Sequence, residues 1–465
     1  MFVDRKDELK FLQKEYERNG ASFVVIYGRR RVGKTELIKE FSKFRKSIYF
    51  LATQEDEEQL RRSFQKVVYK VTKAPVLKPE NVLDWEDIFL VASSFFSEKI
   101  VIAIDEFQNI VLANPSFPSI LQKIWDNVLK DRNVMLILCG SLISMMHEST
   151  LAYSSPLYGR RTGQIKLKPI SFTHYKEFFK EDTGEMTLLK YFAVTGGVPK
   201  YIELVDLSKD VYEMIRDNIL EKNSFLFEEP FFLLERDLKE TGSYFSILKT
   251  ISLGNRRLSS IAAKSGIKQQ SLSYYLKVLS DMDIVKREVP VTEKNPEKSK
   301  KGLYFIKDYF LDFWFKFVYP NLSFLEMGET EYVMEEIGKY FEEKHVSFVY
   351  EDLCREKVKE LNSTEFFPLK FEKIGRWWDK HEEIDIVGIL KGKAKLFGEC
   401  KFTKKLVGLD IYYSLLEKSR KLSDEEDNFF IIFSKGGFEK SLIELSKSRK
   451  NLLLVKGISN VIQQQ

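Results

Sequence analysis

The residues best suited to chemistry lie in short runs whose spacing suits phosphate. Gly28-Arg29-Arg30-Arg31-Val32-Gly33-Lys34-Thr35 follows the apolar run Ser22–Tyr27 and precedes Leu37, Ile38 and Phe41 at helical spacing. Strand, glycine-bearing loop and helix form the setting in which backbone N–H groups close around phosphate oxygens. There Lys34 is expected to reach the β and γ phosphates of ATP, and the Thr35 hydroxyl to hold Mg²⁺. Further on, the apolar run Ile100–Ile104 ends in Asp105-Glu106. Asp105 is expected to bind Mg²⁺ through water, and Glu106 to orient the water that attacks the γ-phosphate. A third apolar run, Val134–Leu138, leads through Cys139-Gly140 to Ser141, which is either a γ-phosphate sensor or a polar strand end. Arg160 and Arg161 each fit an arginine finger, in cis or from a neighbouring subunit, or a surface pair that bonds a loop. Thr195–Tyr201 is a glycine–proline turn that either lines the nucleotide pocket or is only a turn.

A second group of chemical residues lies near the C-terminus. Glu383–Ile389 alternates charged and apolar residues as a half-buried strand does, and a turn at Lys391-Gly392-Lys393 leads to a second strand, Ala394–Lys401. Asp385 and Glu399 therefore fall on the two arms of one hairpin. Glu399 and Lys401, two residues apart, share a strand face. Two carboxylates can hold Mg²⁺ or Mn²⁺ beside a scissile phosphate, and a lysine next to them can position or deprotonate water. Phe371–Trp378 reads as a strand and Glu331–Leu361 as one or two helices, with Glu351 inside them.

The elements between these groups carry another pattern. Ser246–Leu253, Leu258–Lys264 and Gln269–Met282 have helical spacing, and Ser265-Gly266-Ile267 separates the last two in the manner of a helix-turn-helix. Ile284–Val291 and Gly302–Ile306 read as two strands of a wing. The third helix has a polar face able to enter a major groove, and the alternative is a packing module. The aromatic run Tyr304–Tyr319 is too regularly apolar for a solvated base-stacking platform and reads as an inter-domain core helix.

These motifs carry family resemblances. Phe2–Leu9, the glycine-rich loop, Ile104–Phe107, Pro156–Arg161 and Gly196–Pro199, in this order, resemble archaeal-type AAA+ ATPases close to the STAND class. That resemblance covers roughly the first half of the chain and implies an α/β ATPase core followed by a small helical lid. It also implies Asp4-Arg5 near the adenine side of the pocket, and Gly197-Val198-Pro199 coupling the lid to nucleotide state. Asp385, Glu399 and Lys401 resemble the PD-(D/E)XK nuclease superfamily. From that resemblance, Glu351 corresponds to a helix glutamate and the Cys400 carbonyl to an extra metal ligand.

Composition sets the bounds. The chain has 465 residues, three cysteines and four histidines, with 44% hydrophobic and 31% charged residues. This describes a folded multidomain protein and excludes a largely disordered one. No apolar run approaches the ~20 residues of a membrane span. Met1–Lys10 lacks the apolar core of a signal peptide, and three widely spaced cysteines fit a reducing cytoplasm. Four scattered histidines give little support to a Ser-His-Asp hydrolase. The net charge is only +5, yet Lys286–Lys307 and Lys391–Lys405 carry surpluses of four and five, on the two segments where a DNA partner is expected. The expected architecture is α/β: a P-loop AAA+ core over 1–170, a helical lid over 171–238, a winged helix-turn-helix over 239–322 and an α/β restriction-endonuclease-like domain over 323–465. The expected function is ATP-controlled, metal-dependent DNA cleavage, in a cytoplasmic protein able to form homo-oligomers. The alternative is a nucleotide-switched DNA-binding regulator or scaffold with an inactive nuclease fold.

Overall fold

The computed structural model describes residues 2–235, 238, 240–364, 366–425 and 427–462. The chain divides into two compact units. The first comprises Met1–His174, Val198–Glu203 and Asp281–Asp283; the second comprises Tyr175–Gly197, Leu204–Ser280 and Ile284–Gln465.

The first unit is built on five parallel strands, β1 (Ser22–Tyr27), β2 (Ser47–Leu51), β3 (Ile100–Asp105), β4 (Val134–Gly140) and β5 (Gly163–Lys166), in the order β2-β3-β4-β1-β5. β3 and β4 are buried along their whole length, which is why both read as unbroken apolar runs. On one face Val24, Ile26 and Ile137 pack with Leu12 of α1 (Lys6–Glu17) and with Leu37, Ile38 and Phe41 of α2 (Lys34–Ser42). On the other, Phe23, Ile102 and Leu136 pack with α3 (Glu57–Thr72) and α4 (Trp85–Ser94). The parallel register pairs Tyr27 with Gly140 and Ile104 with Leu138. The C-terminal ends of β1, β3 and β4 therefore lie side by side, and the loops that leave these three strands converge on one edge of the sheet.

The second unit contains α5 (Glu185–Thr195) and three consecutive helices, α6 (Thr241–Ser252), α7 (Leu258–Ser265) and α8 (Gln269–Asp281), of which all but the last residue of α8 belongs to it. A left-handed Gly266 closes α7, as expected for a tight helix–helix turn. An antiparallel ribbon comes next, β6 (Val285–Glu288) and β7 (Leu303–Ile306). The aromatic run beyond it is buried: Phe313, Trp314 and Phe315 pack among Phe245, Phe341 and Tyr319 inside this unit. Two helices, α9 (Thr330–Phe341) and α10 (Ser347–Ser363), lead to a six-stranded sheet of β8 (Lys373–Trp378), β9 (Glu383–Leu390), β10 (Lys393–Lys401), β11 (Phe429–Ser434), β12 (Leu452–Lys456) and β13 (Asn460–Val461). β9 pairs antiparallel with both β8 and β10, whereas β10, β11 and β12 run parallel. Among the described residues no helix is long and apolar enough to cross a membrane.

Candidate functional sites

The glycine-rich loop takes its shape from conformations that side chains resist. Gly28 has φ 154°, and a Cβ there would collide with the Leu167 carbonyl oxygen. Gly33, at φ 90°, caps the N-terminus of α2, and Arg31 is left-handed at φ 69°. The buried Lys34 ammonium donates to the carbonyls of Gly28 (2.8 Å) and Arg29 (2.9 Å), and its burial lowers its pKa. Arg5 is buried and donates to Val32 O (3.0 Å) and Lys168 O (2.7 Å), so the N-terminal segment braces the loop from outside. Arg29 reaches the Tyr201 hydroxyl at 3.5 Å, and Pro199 lies beside Gly33, so the Val198–Glu203 segment belongs to this site.

At the end of β3 the two carboxylates face different partners. Asp105 Oδ2 accepts from Thr35 Oγ1 (2.6 Å) and from the Tyr49 hydroxyl (2.8 Å). Burial, and then the charge of Asp105, push the Tyr49 phenol far above its ordinary pKa, so it stays a donor. Glu106 sits at φ 54° and accepts from Ser141 Oγ (2.8 Å) and from the Gln108 amide. The structure thus brings together Lys34, Thr35, Asp105, Glu106 and Ser141. It adds Tyr49 and Gln108, which sequence reasoning missed: Tyr49 is one aromatic on an unremarkable strand, and Gln108 belongs to no motif. Arg160 and Arg161 are each held within their own unit. Arg160 forms a fork on Asp126 (2.7 to 3.1 Å), and Arg161 donates to the Thr150 and Leu151 carbonyls.

The second site lies on the β9–β10 hairpin. Register pairs Ile386 with Gly398, which puts Asp385 opposite Glu399. A Cβ on Gly398 would fall 2.7 Å from Ile431 Cγ2 and 3.0 Å from Ile386 Cβ, so only glycine permits this close approach. Asp385 Oδ2 accepts from the Cys400 N–H at 2.8 Å. Burial and then Glu399 push the Asp385 carboxyl up to about 6. Glu351, on α10, is pushed up to about 7 by burial and then by Asp385. Several cations balance this cluster, Lys418 at 3.5 Å from Glu399 and Arg355 near Glu351 among them. Lys401 lies 2.7 Å from Glu399, and Arg376 of β8 lies 2.6 Å from Glu351. Arg376 was not a candidate from sequence. Asp385 and Glu399 offer the hard oxygen donors that Mg²⁺ or Mn²⁺ takes. Among the described residues no group of three or more His, Cys, Asp or Glu side chains has the geometry of a metal site.

The two basic segments are less basic than their counts. Lys393 pairs with Glu425 at 2.8 Å, Lys395 pairs with Glu425 and Asp427, and Lys401 pairs with Glu399. Lys286 pairs with Glu288 (2.7 Å) and Asp352 (3.5 Å), and Lys301 pairs with Glu293 (2.8 Å). Glu425, Asp427 and Asp352 lie outside the segments they neutralise, so a local charge count cannot see them.

Fold and loop together define a P-loop ATPase. Residues 2–205 match the family described as an ATPase domain predominantly from Archaea. Residues 314–417 match a family described as archaeal and bacterial proteins of unknown function. The Walker-type ATPase PABY2304 of Pyrococcus abyssi has a similar fold, with a TM-score of 0.51 and 22% identity over 68% of this chain and 96% of that one. The uncharacterized ATP-binding protein MJ0423 of Methanocaldococcus jannaschii is 58% identical over 41 residues, 9% of this chain and 70% of that protein. The uncharacterized protein MJECL04 of the same organism is 39% identical over 440 residues, 94% of this chain and 96% of its own length. The chain belongs to the family of MJECL04, as an ATP-binding P-loop ATPase.

Proposed function

We propose that this ATPase binds DNA and cleaves it with a metal-dependent nuclease domain of PD-(D/E)XK type, under the control of its nucleotide. One observation carries the reading: Asp385 stands opposite Glu399, Lys401 lies on Glu399, and Glu351 is within electrostatic reach of Asp385. Repelling carboxylates in a buried place are what a divalent cation stabilises. Asp385, Glu399 and the Cys400 carbonyl would hold the cation, which would supply Lewis acidity toward a phosphodiester. Lys401, ion-paired to Glu399, would then position the attacking water. In the first unit, Thr35 and Asp105, in mutual contact and rich in oxygen, suit Mg²⁺. Lys34 and the loop N–H groups would hold the phosphates of ATP, Glu106 would orient water and Ser141 would sense the γ-phosphate.

The order α6-α7-α8-β6-β7 supports a winged helix, with the lid over 171–238 and the nuclease-type fold over 323–465. α8 buries Leu272, Leu276 and Leu279 and exposes Gln270, Ser273 and Lys277, a polar face suited to a DNA groove. The test is direct. Full-length protein with Mn²⁺ or Mg²⁺ should nick or cut DNA, Asp385→Ala should abolish cutting while ATP hydrolysis persists, and Lys34→Ala should do the reverse or remove both.

A second reading is favoured by the cations already seated on the carboxylates, Arg376 on Glu351 and Lys401 on Glu399. In it the last domain is an inactive nuclease fold, and the protein is a nucleotide-switched DNA-binding regulator. Tight nucleotide binding, slow turnover and no cutting of any DNA under either metal would establish it over the first. Assembly into a homo-oligomer belongs to both readings if Arg160 or Arg161 acts on a neighbour. Mixed Lys34→Ala and Arg160→Ala proteins should then regain ATPase activity, and no recovery would remove Arg160 from that role.

A further inference from the structure

Glu106 is held more firmly than a catalytic carboxylate at a strand end requires. Its backbone is left-handed, a conformation that sterics disfavour for any residue but glycine. Asp105 Oδ1 accepts from the Glu106 N–H at 2.9 Å, and Phe107 N donates to Cys139 O at 2.9 Å, so the turn is fixed on both sides. The side chain is then clamped on a single oxygen, Oε2, by Ser141 Oγ and Gln108 Nε2. Gln108 also lies 3.3 Å from Ser141 Oγ, which closes a three-membered polar ring.

Gln108 itself has almost no freedom. It is 1% exposed, and a Cβ on Gly140 would lie 2.5 Å from Gln108 Oε1 and would collide with Met146. Among the described residues Gln108 Oε1 has no hydrogen-bond partner. A buried carboxamide that leaves its acceptor unsatisfied has given up hydration without recompense. What it keeps is the amide donor on Glu106. A side chain serving packing alone would be better replaced by an apolar one of the same size.

We propose that Gln108 is the positioning residue of ATP hydrolysis, fixing the plane of the Glu106 carboxylate with Oε2 engaged and Oε1 left to accept a proton from the attacking water. The inference rests on Glu106 being the group that orients that water. Ser141 shares the clamp and is the member a γ-phosphate can draw away. Gln108, wedged against Gly140 and Met146, is the member that stays.

The test uses the full-length chain, Mg²⁺-ATP turnover and binding of a fluorescent ATP analogue. Glu106→Gln is the reference, and if it hydrolyses ATP normally, the reading of Glu106 fails whatever Gln108 does. With Glu106→Gln inactive, Gln108→Ala should lower kcat by about ten- to a hundredfold, with KM and analogue affinity within about twofold of wild type. Gln108→Glu keeps the size and replaces the donor by a carboxylate. It should stay slow, with KM and analogue affinity again within about twofold of wild type. A Gln108→Ala or Gln108→Glu kcat near wild type, or a loss of affinity matching the loss of kcat, would each overturn the proposal. If Gln108→Ala does not fold, the nearly isosteric Gln108→Glu decides on its own.

Discussion

Arg376 of β8 and Glu351 of α10 form an ion pair at the C-terminal site. The nitrogen–oxygen distance is 2.6 Å, with 12% and 23% of the two side chains exposed. Charge centres about 4 Å apart attract by about 4 kcal/mol at an effective dielectric near 20, and partial exposure screens roughly half of that. A double-mutant cycle of Arg376→Met and Glu351→Gln should therefore give a coupling of about 2 kcal/mol, read by urea unfolding of the full chain at pH 8 with EDTA. The coupling must depend on pH. Glu351 is pushed up to about 7, so ionising it costs stability as the pH rises from its ordinary value of 4.5 through about 7. Arg376 offsets that cost only where Glu351 is ionised, so its contribution is present at pH 8 and largely gone at pH 5. A coupling below about 0.5 kcal/mol at pH 8, or one equal at both pH values, would refute this account.

Three other perturbations have defined outcomes. Gly28→Ala should abolish ATP binding measured by calorimetry, since its Cβ meets a backbone oxygen of Leu167 that cannot step aside. Tyr49→Phe removes a donor to Asp105 and should raise the Mg²⁺ concentration needed for half-maximal ATPase activity by about tenfold or more, with the fold unchanged by circular dichroism. Fully buried His345 donates from Nε2 to the Ala193 carbonyl (2.7 Å), its Nδ1 lies 3.1 Å from Asp312 Oδ2 and 3.4 Å from Lys316 Nζ, and burial and then Lys316 lower its pKa. Its contribution to stability is full above the unfolded pKa of about 6.5 and is lost as the pH falls below it. The fall in urea midpoint from pH 7 to pH 5 should thus be smaller in His345→Gln.

Much of this architecture was legible because its signals are contiguous. Ser22–Tyr27, Ile100–Ile104 and Val134–Leu138 read as strands from sequence, and burial on both faces, which leaves no polar alternation, is why. The β9–β10 hairpin read correctly because the charges alternate with apolar residues and Gly392 marks the turn. Helices α7 and α8 begin and end within one residue of their expected bounds, whereas α6 begins at Thr241, ahead of the expected Ser246. What stayed hidden depends on pairing across distance. Nothing in the sequence says that Tyr49 will stand beside Asp105, because β2 must first lie next to β3 with Leu51 paired to Asp105. The Arg160 contact with Asp126 joins residues far apart in the chain, so no local pattern around Arg160 shows it. Arg376 lay in a stretch read only as a strand, and its role depends on α10 packing against β8.

The composition of the first unit sets an order for its assembly during synthesis. Arg29 needs Tyr201 and Lys166 needs Asp283, at 3.5 and 2.9 Å, and both partners leave the ribosome after long stretches that belong to the other unit. At about 5–20 residues per second, a nascent chain waits several seconds or more between finishing β5 and receiving its last piece. The nucleotide loop itself lacks part of its frame only until Val198–Glu203 has emerged. ATP capture would therefore precede completion of a 465-residue chain whose other unit is still being made.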